Sequence, residues 1–193
     1  MARLPYLRVE EAPEGSRRLL GKLPPLHVFG VLAHSPCALK GFVRLGSGLL
    51  YEGSLAPGLR ELVILRVARL SGAAYEVAHH EDAARQLGVS EAQIAATAQG
   101  SGAGCWSEAE AAALGYAEEV LAQVKASAAR WEAVERCFDA QQRVELTLLV
   151  GYYMMVARFL ENLEVALEPE GTAGLRFAPS GQPSQAGHLP HLR

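Results

Sequence analysis

Between Arg60 and His80 the chain reads as two helices joined by a break too short to hold them apart. The first, from Pro57 to about Leu70, is apolar over most of its surface, and Pro57 suits its opening turn. Ser71-Gly72 interrupts it, and Gly88 closes a second helix from Ala73 to Leu87. Hydrophobic burial favours packing the two against each other as an antiparallel hairpin.

Helix signals dominate elsewhere and strand signals are almost absent, so the fold class expected is all-α, a helical bundle. Short helices are expected from Glu14 to Leu23, stopped by Pro24-Pro25, and from Leu26 to Ala33. A periodic stretch follows from Cys37 to about Tyr51. Ser90-Glu91-Ala92-Gln93 and Ser107-Glu108-Ala109-Glu110 both carry the reciprocal capping pattern and open Ala-rich helices. Gln99 to Gly104 reads as a flexible loop, and Trp131 to Phe138 as a short amphipathic helix. The longest helix starts at Asp139 and is expected to reach about Ala166. Its stretch from Leu146 to Ala157 is apolar on nearly every side, as in a bundle centre or a subunit interface. No internal repeat emerges. Residues 1–168 are expected to form a single helical domain. Residues 169–193, rich in Gly, Pro, Ser and Gln, read as a tail without periodic structure.

Composition excludes several function classes. Net charge is −3 and no Lys/Arg stripe forms, so nucleic-acid binding has no electrostatic support. No segment offers the roughly 20 uninterrupted apolar residues of a membrane span, and the start lacks the apolar run of a signal peptide. The expectation is a soluble, cytoplasmic protein that binds neither nucleic acid nor membrane. Cys37, Cys105 and Cys137 are widely spaced, in no metal-ligand pattern, and read as plain thiols of a reducing compartment.

Glu61 lies on the apolar stripe with Ile64, Leu65 and Ala68, where a lone acid is costly unless neutral or paired. On the second helix Ala73, Glu76, His80 and Ala84 share a face, with His79 beside it. Measured from the turn, Glu61 lies about 16 Å along one helix and His80 about 12 Å along the other. Antiparallel packing therefore brings them together, and Glu76 could reach His80 from within the same helix. A carboxylate and an imidazole held out of water can pass protons to and from a substrate. The same pair could equally be a structural one.

The run Arg60-Glu61-Leu62, Ser71-Gly72, Tyr75-Glu76-Val77-Ala78-His79-His80 resembles the carboxymuconolactone decarboxylase family, which includes the alkylhydroperoxidase D proteins. His34-Ser35-Pro36, Leu87-Gly88-Val89-Ser90 and Glu145-Leu146-Thr147 leading into Gly151 to Leu160 extend the resemblance over roughly residues 20–165. In the peroxidase branch the resemblance implies a glutamate, a Cys-x-x-Cys pair and a histidine acting as a thiol redox centre with a proton relay. Glu61 and His80 match the glutamate and histidine, but the cysteine positions fall on Ala73 and Glu76. Thiol peroxidase chemistry lacks both its nucleophile and its resolving thiol. The decarboxylase branch, which also lacks the cysteines, keeps a glutamate and a histidine resembling Glu61 and His80. Glu76 departs from it.

The expected activity is that of a cofactor-independent lyase or isomerase acting on a small, carboxylated molecule. Glu61, Glu76 and His80 are the expected catalytic residues, and His79 and Tyr75 the candidate substrate contacts. A non-catalytic, ligand-binding oligomer on the same scaffold is the alternative. Glu76-Val77-Ala78-His79 has the spacing used by carboxylate-bridged metal bundles, but the chain offers no second such pair, so no metal or other cofactor is assigned. His79 is otherwise expected to face solvent or a subunit boundary, and the chain is expected to form a homo-oligomer.

Overall fold

The computed structural model describes residues 2–169. Among them are nine α-helices and no strand: α1 (Glu14–Leu20), α2 (His27–Leu32), α3 (Pro36–Ser47), α4 (Pro57–Ser71), α5 (Ala74–Gln86), α6 (Glu91–Ala96), α7 (Glu108–Gln123), α8 (Ala128–Cys137) and α9 (Ala140–Asn162). A π-helical turn, Gly48–Glu52, extends α3.

α4 is the centre. It packs against α5, α7 and α9, and Leu62, Val63, Ile64, Leu65, Val67 and Ala68 are all essentially inaccessible. A helix covered on so many sides needs apolar residues around most of its circumference, as its sequence supplies. The α4–α5 break is a Schellman turn. Gly72 takes φ +69°, its N–H donates to Arg69 O, and the Ala73 N–H donates to Ala68 O. A side chain at position 72 would be strained in this left-handed conformation, so glycine is what allows α5 to return along α4.

The sequence-derived starts hold where a cap specifies them. Reciprocal capping boxes form at Ser90/Gln93, Ser107/Glu110 and Asp139/Gln142. α8 begins three residues earlier than expected because Ser127 caps it by accepting from Arg130 N–H. α1 stops at Leu20, short of the proline pair. α9 ends at Asn162 rather than near Ala166. There Glu164 takes a left-handed φ of 52°, and the Val165 N–H donates back to Leu160 O. The chain then turns back, which carries Glu168 onto α5. Most of the expected tail, 170–193, lies outside the described residues.

Tyr152 and Gly46 show how closely α9 meets α3. The Tyr152 hydroxyl donates to Phe42 O at 3.0 Å, and a Cβ at position 46 would stand 2.5 Å from that hydroxyl. No helix among the described residues is long and apolar enough to cross a membrane.

Candidate functional site

The hairpin brings Glu61 and His80 together. Glu61 Oε2 lies 2.6 Å from His80 Nδ1, with the acid side chain 4% exposed and the imidazole 12%. The carboxylate requires a donor, which places the histidine proton on Nδ1 and leaves Nε2 as the ring's acceptor. Tyr153 of α9 meets the imidazole edge to face, at 5.0 Å between ring centres. Burial, followed by the nearby Glu61 charge, holds the Tyr153 phenol well above its usual range, so it stays neutral. The dyad thus has one wall from each of α4, α5 and α9.

Glu76 behaves differently from expectation. It is buried at 2% exposure, and neither carboxyl oxygen has a hydrogen-bond partner, so the expected contact with His80 does not form. Burial, with a smaller contribution from Glu161, pushes its carboxyl up to about 8. At neutral pH it is predominantly a neutral acid. It lies close enough to Tyr152 and Tyr153 to act on both phenols.

His79 does not face solvent or a subunit boundary. It is buried, and its Nε2–H donates to Glu168 Oε2 at 2.8 Å. The Glu168 Oε1 atom accepts from the Tyr75 hydroxyl at 2.7 Å and from the His27 N–H at 2.7 Å. Burial raises the Glu168 carboxyl, but these hydrogen bonds and the neighbouring His79 outweigh it and leave it below the ordinary carboxylate range. Burial lowers His79 more than Glu168 raises it, which favours the neutral ring. Tyr75 and His79, expected as substrate contacts, instead both bond to Glu168, a latch that pins the segment after α9 onto α5 and α2. No group of three or more His, Cys, Asp or Glu among the described residues is arranged to hold a metal ion.

Arg60 escaped the sequence reading, which treated it as a flank of the Glu61 motif. It is 2% exposed, beside the dyad, and within electrostatic reach of Glu61, Tyr153, Tyr51 and Glu145. The signal that could have found it is a cation inside an otherwise apolar, fully covered helix.

Residues 36–119 match the carboxymuconolactone decarboxylase family, and the arrangement of α4, α5 and the Glu61–His80 pair falls within and around that match. The match covers a little less than half of the chain and holds both α4 and α5. The same helical fold recurs in solved structures. An uncharacterised peroxidase-related protein with an alkylhydroperoxidase AhpD core from Ralstonia eutropha is 19% identical, covering 89% of this chain and 94% of its own, with a TM-score of 0.76. An antioxidant-defence AhpD candidate of unknown function from Agrobacterium tumefaciens is 25% identical over 68% of this chain and 91% of its own, at a TM-score of 0.64. The debrominase Bmp8, solved with 2,3,4-tribromopyrrole, is 18% identical over 84% of this chain and 90% of its own, at 0.69. No curated protein matches the sequence. The hairpin lacks the Cys-x-x-Cys pair that the peroxidase-branch resemblance places at its turn. Ala73 and Glu76 occupy those positions, and Cys37, Cys105 and Cys137 are free thiols outside the hairpin.

Proposed function

We propose that this protein is a cofactor-independent acid–base enzyme, a lyase or isomerase acting on a small carboxylated substrate. The observation that carries the reading is the 2.6 Å Glu61–His80 contact on an imidazole that is still partly reachable. Glu61 orients the ring and stabilises the imidazolium, and Nε2 takes a proton from the substrate and returns it. Decarboxylation or isomerisation next to a carbonyl needs such a donor to quench the enolate that forms. Glu76, neutral at pH 7, keeps a second negative charge away from the dyad. The alkylhydroperoxidase-type reading has no support in the hairpin, since neither Ala73 nor Glu76 can supply a thiolate.

The test is a screen of small carboxylic acids with wild type, Glu61→Gln and His80→Ala. Loss of turnover by about 10²–10⁴-fold in both variants is expected. Full turnover in either one sinks the mechanism, and a folded wild type that turns over nothing favours a ligand-binding scaffold instead.

The assembly belongs to the same proposal. Val144, Leu148 and Met155 are exposed and share one face of α9, an apolar stripe suited to a second copy of the chain. Light scattering on wild type and Leu148→Glu checks it, with a smaller particle expected for the variant. The free thiols fit a reducing compartment, and we place the protein in the cytoplasm.

A further inference from the structure

Arg60 is a buried cation with few partners. One N–H donates to Leu55 O at a long 3.3 Å, and its buried Nε has no acceptor. No carboxylate among the described residues comes within 4.0 Å of it. The two acids near enough to act on it are committed elsewhere. Glu61 holds His80. Glu145 accepts from the Ser54 N–H, the Ser54 hydroxyl, the Leu55 N–H and the Gln141 amide. They offset the charge at a distance but leave guanidinium donors unused. A buried cation is costly when its donors are unfilled, whereas a planar guanidinium pairs with a carboxylate through two parallel hydrogen bonds.

The surroundings suit such a guest. Tyr51 sits on the π-helical turn, half-exposed and within electrostatic reach of both Arg60 and Glu61, while Tyr153 adjoins Arg60 and His80. A turn of π-helix interrupting regular structure is a frequent companion of functional sites. A separate hollow of about 450 Å³, lined by Arg44, Glu52 and Glu145, lies on the same turn but does not include Arg60, Tyr51 or His80.

We propose that Arg60 is the anion anchor of the Glu61–His80 site, receiving the carboxylate of the substrate on its Nε edge between Tyr51 and Tyr153. This rests on the proton-relay reading for the chemistry, but not for the binding. An anchored carboxylate would present the adjoining carbon to His80, which makes short 2-oxo or 1,3-dicarboxylic acids the matching class. Neutral esters and amides of the same shape would be refused.

The experiment is titration calorimetry of the full chain with malonate, succinate and the neutral malonamide. It compares wild type, Arg60→Lys, Arg60→Met and His80→Ala, each checked for helix content. Wild type should bind malonate or succinate and ignore malonamide. Affinity should fall at least ~tenfold in Arg60→Lys, which keeps the charge but loses the fork, and further in Arg60→Met. His80→Ala should keep most of the binding, so a failed relay and a failed anchor give different results. Undiminished binding in a folded Arg60 variant overturns the assignment. So does a wild type that binds neither dianion up to about 10 mM, or one that takes malonamide equally well.

Discussion

Two glutamate–histidine pairs sit back to back on α5, and they differ in almost everything except composition. Glu168–His79 is closed. Its carboxylate accepts from the Tyr75 hydroxyl, the His27 N–H and the imidazole, and both side chains are below a tenth exposed. Glu61–His80 is sparser: the carboxylate has His80 as its hydrogen-bond partner, and the imidazole is about twice as exposed as its neighbour. A carboxylate saturated with donors fixes geometry and has nothing left to offer. One that orients a single imidazole and leaves its far nitrogen free can do chemistry. Adjacent residues 79 and 80, about 100° apart around α5, thus serve a closed pair and an open one.

The largest expected effect falls on catalysis. Glu61→Gln or His80→Ala should lower kcat/KM by 10²–10⁴-fold, about 3–5 kcal/mol of barrier, while the helix content seen by circular dichroism is unchanged. Glu168→Gln should do the reverse, sparing the rate in the folded fraction. If Glu168→Gln lowers the rate as much as His80→Ala does, the division of labour between the pairs is wrong.

Stability against pH sharpens the same contrast. Glu168 is held below, and His79 below, their ordinary ranges, so the unfolded chain binds more protons there as the pH falls. Stability from the latch is present above about pH 6.5 and is lost towards acid, first through His79 and then through Glu168. Glu76 has the opposite sign. Its folded carboxyl is raised to about 8, so the folded state holds a proton that the unfolded state gives up above about pH 4.5. Its burial becomes more costly from there until the folded group itself ionises. Denaturant unfolding should show Glu168→Ala destabilised by about 3–5 kcal/mol at pH 7 and by less at pH 4. Glu76→Gln should be stabilised, by up to about 5 kcal/mol at pH 8–9 and by little at pH 5. Parallel pH profiles for wild type and Glu76→Gln would show that this acid is not held neutral.

The smallest effect tests packing around the site. Gly46→Ala should displace the Tyr152 hydroxyl from Phe42 O and cost about 1–3 kcal/mol, read from the denaturant midpoint. Because Tyr152 packs on Tyr153, and Tyr153 on His80, a modest rate loss should accompany it.

The hairpin and its dyad were legible because helical spacing is local. Once two helices must pack and a Gly72 turn joins them, Glu61 and His80 have little freedom to miss each other. The latch was not legible, because its partners lie 89 and 93 residues apart and meet only where α9 stops. That stop carries no glycine. Glu164 takes the left-handed position itself, so nothing in the sequence marks the helix end before Ala166. Arg60 sits beside the Glu61 motif in sequence, and only the surrounding helices reveal how little of it stays exposed. Glu76 was read as a partner of His80 because both lie on one face, yet sharing a face does not make two side chains meet.

The central claim is that the dyad moves protons at carbon. Deuterium uptake from heavy water into short 2-oxo and 1,3-dicarboxylic acids, followed by proton NMR, tests it without knowledge of the complete reaction. Wild type and Glu168→Gln should exchange the carbon-bound proton at similar rates, with Glu61→Gln and His80→Ala at least ~100-fold slower. Exchange no faster than in buffer for wild type, or undiminished in the two dyad variants, would contradict it.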